Sequence, residues 1–292
     1  MINPRAYIDN FLKYLSDDRG AAANTVEAYR RDITLFTDYL NEGWIGLDKL
    51  TDIVILSFLS KMLNAGASTA TTRRALSSVK TFCRYLSNHG VIRTDPSYGV
   101  KLPSPPTRRA GADVSVDVTA LLGATDLSSP TGVRDRAIIA FMAFTGIRVG
   151  ELIGLRADDT HVGLNFVECR SRRKTRVIPI NAAVAETVGG YIKSARSAFI
   201  KEEEREELFL SRRGQPFTRQ GVWKLIHGYV EKAGMDGVTP ASLREAFAKR
   251  AAAAGTDIRA LSEMMGVAGI GQTRKYYAKE PKLLEEYLKS NK

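Results

Sequence analysis

Residues 134–144 leave little choice about where they go. Ala137, Ile138, Ile139, Phe141, Met142 and Phe144 cover most faces of the helix they would form. A helix that is apolar on most faces has to lie buried at the centre of its domain, so the second half of the chain is organised around it. Thr145-Gly146 breaks the pattern, and residues 147–155 (IRVGELIGL) start the next helix. Arg148 then stands at a helix beginning, where free backbone N–H groups make a ready anion site.

The rest of this half alternates short elements with cationic turns. Residues 166–169 and 176–180 are β-type runs joined by Arg170-Ser171-Arg172-Arg173-Lys174-Thr175, a polar, strongly basic turn, and read as a hairpin. The acidic run 202–207 reads as a solvated helix end. A basic turn with Arg212 and Arg213 follows, then an amphipathic helix from Thr218 with Val222, Trp223, Ile226 and Val230 inward. Residues 246–254 are alanine-rich and strongly helical, with Gly255 placed to stop them, which puts Arg244 in the first turn of a helix. Residues 257–265 form a second short helix on Ile258, Leu261, Met264 and Met265, ending at Gly266. The small, glycine-broken segment 268–272 then delivers 273–277 as a new helical turn. Tyr276 lies beside Arg274 and Lys275, a cationic setting that favours a phenolate. Residues 281–288 read as a terminal helix with Leu283, Leu284 and Tyr287 along one edge.

The first half is all helical in pattern. Tyr7, Phe11, Tyr14 and Leu15 make one apolar stripe, and Val26, Tyr29, Ile33, Phe36 and Leu40 a longer one after Asn24, a good N-cap. Residues 53–63 and 68–88 add two helices. On the last, Leu76, Val79, Cys83 and Leu86 point inward while Arg73, Lys80 and Arg84 recur along another face, as backbone contacts to DNA require. Residues 100–113 (VKLPSPPTRRAGAD) concentrate proline, serine, glycine and arginine and divide the chain into a helical domain at 1–99, a linker, and a second domain at 114–292. Arg108 and Arg109 lie in that linker. A net charge of +11 points to a polyanionic partner. Cys83 and Cys169 make neither a disulfide framework nor a metal site. His89, His161 and His227 are scattered surface or packing residues. No leader or membrane-spanning run is present, so the expectation is a cytoplasmic, membrane-free protein with no metal and no cofactor.

Three groups of residues carry a family resemblance. Thr145-Gly146-Ile147-Arg148-Val149-Gly150-Glu151-Leu152 resembles the first arginine box of the tyrosine recombinases, the family of phage integrases, Cre and the Xer proteins. Thr239-Pro240-Ala241-Ser242-Leu243-Arg244, Met265-Gly266-Val267 and Thr273-Arg274-Lys275-Tyr276 resemble its C-terminal box, and 24–32 with 76–86 resemble the core-binding domain of Xer-type members. The resemblance implies a mainly α protein with a small β-hairpin or sheet, in two domains that close around duplex DNA. It implies that Tyr276 is the nucleophile, forming a 3′-phosphotyrosyl link, that Arg148 and Arg244 clamp the phosphate, and that a hairpin lysine is the acid. That lysine is Lys174 on a Cre-like turn, whereas an Xer-like register puts the column on Ser171. Arg73, Lys80, Arg84, Arg172, Arg173, Arg212 and Arg213 become DNA contacts, and the terminal helix becomes a docking element in a homo- or hetero-tetramer. Both histidines of the pattern are missing, since Ala241 and Val267 occupy their columns. Two functions follow: an active or slowed recombinase, or a recombinase-fold repressor or architectural factor. Spacing from Gly266 favours Tyr276 over Tyr277. The DNA target and the biological role, from chromosome dimer resolution to mobile-element integration or regulation, are not written in the sequence.

Overall fold

The computed structural model describes residues 2–102, 116–170, 175–201, 205–267 and 269–277. It divides into two units, Met1–Ala110 and Gly111–Lys292. In the first, α1 (Ile8–Lys13) runs on through a π-helical turn at Tyr14–Asp18, followed by α2 (Ala23–Glu42), α3 (Asp52–Asn64) and α4 (Thr69–Asn88). Thr51 and Ser68 cap α3 and α4, each accepting a backbone N–H three residues on. Asn24 does not cap α2. The helix has already begun at Ala23, because the Ala22 carbonyl accepts from Thr25 and Val26, and Ala22 offers no side-chain cap.

Aromatic rings fill the centre of this unit: Phe11 meets Phe82 at 5.1 Å and Phe36 meets Phe58 at 5.1 Å, both near edge-on. Val100 is buried in the same core and Leu102 packs on it, so packing continues past residue 99. One polar lock joins α2 to α4. Asp32, only 1% exposed, accepts from Ser78 Oγ at 2.7 Å and Arg74 Nη1 at 2.9 Å. An apolar replacement at Asp32 would take the carboxylate acceptor from both donors, leaving only longer contacts to the carbonyls of Arg74 and Ala28.

The second unit contains α5 (Val118–Gly123), α6 (Pro130–Thr145), α7 (Val149–Ile153), β1 (Thr160–His161), β2 (Phe166–Cys169), β3 (Arg176–Pro179), α8 (Ala182–Ser194), α9 (Arg219–Lys232), α10 (Pro240–Ala253) and α11 (Ile258–Met264). The buried central helix is α6. Ser129 caps it, Pro130 occupies its first turn, and Ala137, Ile138, Ile139, Phe141, Met142 and Ala143 are sealed from solvent between α8, α10 and α5. Arg134 enters this core by stacking between the rings of Phe199 and Phe217 and by pairing with Asp135 at 2.7 Å.

The expected hairpin is present as β2 and β3, with Val167 opposite Ile178 and Cys169 opposite Arg176. It belongs to a three-stranded antiparallel sheet in the order β1-β2-β3, with β2 in the middle. With two residues, β1 is too short to show alternation, which is why the pattern did not reveal it. Two other expectations need correction. Trp223 is 46% exposed, and Tyr229 takes the inward place beside Val222, Ile226 and Val230. Residues 205–207 are not helical: Glu206 accepts from Ala157 N, and Leu208 N donates to Leu155 O at 2.7 Å, drawing the segment into an extended pairing with residues 155–157, just past α7.

The whole is mainly α with a small sheet, and among the described residues no helix is long and apolar enough to cross a membrane. Because α6 has no solvent face over 137–143, truncation there has nowhere to relax. Phe141→Ala is expected to lower the stability of the second unit by about 3–5 kcal/mol, read as a shift in the urea midpoint of its tryptophan transition.

Candidate active site

The last turn of any α-helix leaves carbonyls without intrahelical partners and carries partial negative charge. At the end of α11 a left-handed turn satisfies part of that demand: Gly266 N donates to Glu263 O and Val267 N to Ser262 O. Three successive carbonyls beyond them are taken by arginines. Met264 O accepts from Arg176 Nε at 3.2 Å, Met265 O from Arg244 Nη2 at 2.7 Å, and Gly266 O from Arg148 Nη2 in close contact. Gly266 has to be glycine twice over. Its φ is +61°, and a Cβ there would lie 2.7 Å from Arg176 Cζ and 2.9 Å from Arg148 Nη1.

Arg148 is the N-cap of α7. Its backbone N–H and its Nη1 both donate to Glu151, at 2.9 Å each, so the residue three positions on fixes both ends of it. The same carboxylate takes Arg176 Nη1 at 2.6 Å and Nη2 at 2.8 Å. Burial alone would raise the Glu151 pKa. The Arg176 hydrogen bond, the Arg148 backbone N–H and the two guanidinium charges bring it below the ordinary carboxylate value instead.

Arg244 comes from α10. That helix begins at Pro240, capped by Thr239, and so starts earlier than the alanine run indicates, placing Arg244 one turn inside. Its Nη1 donates in close contact to Gly146 O, where Gly146, at φ +61°, ends α6 with no room for a Cβ beside Phe247. Burial first, and then the Arg148 charge, push the Arg244 pKa down to about 10. It stays cationic at neutral pH, and two neighbouring like charges, Arg244 half-buried and Arg148 exposed, make a place that gains from an incoming anion. The next residue, Glu245, faces Lys275 Nζ at 3.9 Å.

Thr273 positions the tyrosine segment. It is buried, shares a 2.6 Å hydrogen bond with Ser262 Oγ on α11, and precedes the 3₁₀ turn Arg274–Tyr276. Tyr276 packs on the cluster of Phe247, Ala248, Leu261 and Met265, has Lys275 Nζ 4.7 Å from its ring centre, and lies within electrostatic reach of Arg244. Tyr277 is used differently. Its hydroxyl donates to Thr256 O at 2.5 Å and burial raises its pKa.

Arg148, Arg244 and Tyr276 therefore gather around the end of α11. Ala241 is exposed on α10 and Val267 packs on the Phe247 cluster, so no imidazole stands at either place. Ser171, Arg172, Arg173 and Lys174, the linker arginines and the terminal helix lie outside the described residues. In the first unit Arg73 and Lys80 line one groove of α4 together with Lys101, and Arg84 is exposed further along. Arg212 and Arg213 are exposed in their turn. Sequence spacing missed Arg176, whose pairing with Glu151 spans 25 positions, and Arg219, which covers Gly150 on α7 closely enough that a Cβ there would lie 2.9 Å from its Nη2. Among the described residues no three His, Cys, Asp or Glu side chains are grouped to hold a metal.

Residues 115–282 match the family described as the phage integrase family, and residues 8–90 match the phage integrase, N-terminal SAM-like domain. The chain belongs to the phage integrase family. It is 33% identical over 277 residues to the tyrosine recombinase XerD of Oceanobacillus iheyensis, covering 92% of each chain. In fold it is similar to the Tn1549 transposon integrase in complex with a circular intermediate DNA, with a TM-score of 0.72 at 20% identity, covering 93% of this chain and 95% of that one. It is also similar to the XerH site-specific recombinase bound to difH substrate, with a TM-score of 0.70 at 18% identity, covering 96% and 84%.

The crowding at Gly266 gives a direct check. Gly266→Ala is expected to cost about 1–3 kcal/mol in urea denaturation, from the left-handed backbone and the displaced guanidinium groups. Gly269→Ala, on extended backbone with open space around it, should change stability by less than about 0.5 kcal/mol.

Proposed function

We propose that this chain is a site-specific recombinase of the tyrosine type, which cuts duplex DNA and rejoins it through a 3′-phosphotyrosyl link. Its likeness to the XerD recombinases along 92% of its length supports the activity. One observation supports the residue assignment: Arg148 and Arg244 bond neighbouring carbonyls at the end of α11, with Tyr276 on the turn just beyond.

The Tyr276 oxygen attacks the scissile phosphorus, forming the Oη–P bond as the bond from phosphorus to the 5′ oxygen breaks. The phenolic proton leaves to solvent, and the departing 5′ oxygen takes a proton from Lys174. Joining runs the same steps backward, with a 5′ hydroxyl displacing the tyrosine, so the energy of the broken phosphodiester is kept in the link. Arg148 and Arg244 neutralise the non-bridging oxygens. Each has donors left after its carbonyl and carboxylate contacts, and planar guanidinium groups suit two-point contact with a phosphate. Glu151 and the carbonyls of 146, 265 and 266 fix these groups before DNA arrives, so little reorganisation is needed at the transition state. The cationic side chains Arg73, Lys80 and Arg84 in one unit and Arg172, Arg173, Arg212 and Arg213 in the other hold the backbone of the duplex. The protein acts in the cytoplasm as a homo- or hetero-tetramer joined through its terminal helix.

Ala241 and Val267 favour a second reading, a DNA-binding regulator that does not transfer strands, since each missing donor typically costs roughly 10²–10³-fold in rate. The two are separated by selecting the bound sequence from a random duplex pool and nicking it beside candidate scissile positions to trap the adduct. A covalent adduct that is lost in Tyr276→Phe and kept in Tyr277→Phe is expected; tight binding with no adduct from any nicked duplex establishes the regulator. On the same substrate, Ala241→His combined with Val267→His should raise the adduct rate by at least about tenfold.

A further inference from the structure

We infer that Arg176 is a positioning residue of the cleavage site, acting through Glu151 to hold Arg148 on the scissile phosphate. This rests on the recombinase reading above. Arg176 opens β3, directly after the basic hairpin turn, yet its side chain is nearly sealed, 7% exposed, and turned away from the strand's outer edge. Its guanidinium closes two contacts at once. A two-point pair with Glu151 reaches the N-terminus of α7, and Nε reaches Met264 O at the C-terminus of α11.

Glu151 has four donors on two oxygens, two from Arg148 and two from Arg176. A carboxylate shared in this way is fixed in both rotation and tilt, and the Arg148 head inherits that orientation. Without Arg176, Glu151 is free to follow the Arg148 guanidinium, and the clamp loses its fixed edge. An ammonium restores the charge but cannot form the two parallel bonds and the Nε contact together. Arg176 touches neither DNA nor the reacting atoms in this arrangement, so its loss should leave DNA affinity in place and slow the chemical step. It also ties the first residue of β3 to the same carboxylate.

The test uses the full chain and the nicked duplex chosen above, with dissociation constants and single-turnover adduct rates at saturating DNA measured separately. Arg176→Lys should bind DNA within about twofold of the unaltered protein and form adduct about 10–100-fold more slowly. Glu151→Gln should be slowed similarly, and the double variant should be no slower than the slower single one, because both changes break one device. Slowing that multiplies in the double variant, an Arg176→Lys rate equal to that of the unaltered protein, or a loss of affinity that accounts for the whole defect overturns the inference while leaving the recombinase reading intact. Absence of adduct from the unaltered protein overturns both.

Discussion

The second unit depends on how the end of one short helix is satisfied. Once its left-handed turn has used the bonds to Glu263 and Ser262, α11 presents the carbonyls of 264, 265 and 266, and a guanidinium group from a different element closes each one: Arg176 from β3, Arg244 from α10 and Arg148 from α7. Neutral acceptors hold three cations close together without cancelling their charge. Among the described residues only Glu151 contributes a full negative charge at the centre of the group, and its hydrogen bonds go to Arg148 and Arg176. The result is a compact, preorganised excess of positive charge. Burial and the neighbouring Arg148 lower the Arg244 pKa to about 10, which marks a site where an anion removes an existing repulsion on binding.

Everything around this group serves to keep it in place. The buried α6 ends at Gly146, whose carbonyl anchors Arg244 and whose missing Cβ leaves room for Phe247. Thr273 fastens the tyrosine turn to α11 through Ser262, so Tyr276 and the arginine group share one scaffold. Tyr277 is held by Thr256 O, while the adjacent Tyr276 lies within electrostatic reach of Arg244. The side chains of Ala241 and Val267 take no part in the contacts that fix the arginines.

Much of this was legible in the sequence because it is local. The apolar circumference of 134–144 gave the central helix, and glycines at 146, 255 and 266 gave the ends of helices. What stayed hidden depends on contacts between distant segments. In the sequence Glu151 stands only as a member of the first arginine box, whereas in the structure it also anchors Arg176, 25 positions away in another element. The start of α10 was placed too late because alanine content marks a helix interior better than its cap, and Thr239 with Pro240 sets the true beginning. Trp223 looked inward because apolar character alone does not distinguish it from Tyr229, whose hydroxyl has a buried acceptor in Asp135 at 3.0 Å.

The central claim is that Arg244 and Arg148 serve to neutralise one phosphate beside Tyr276. The most direct measurement compares adduct formation on two nicked duplexes, one with an ordinary scissile phosphate and one with an uncharged methylphosphonate there. If the claim holds, Arg244→Ala is slowed by roughly 10²–10³-fold on the phosphate, and most of that defect disappears on the methylphosphonate. An equal defect on both substrates would mean that Arg244 does not act on the charge of the scissile group, and the account of the site would be wrong.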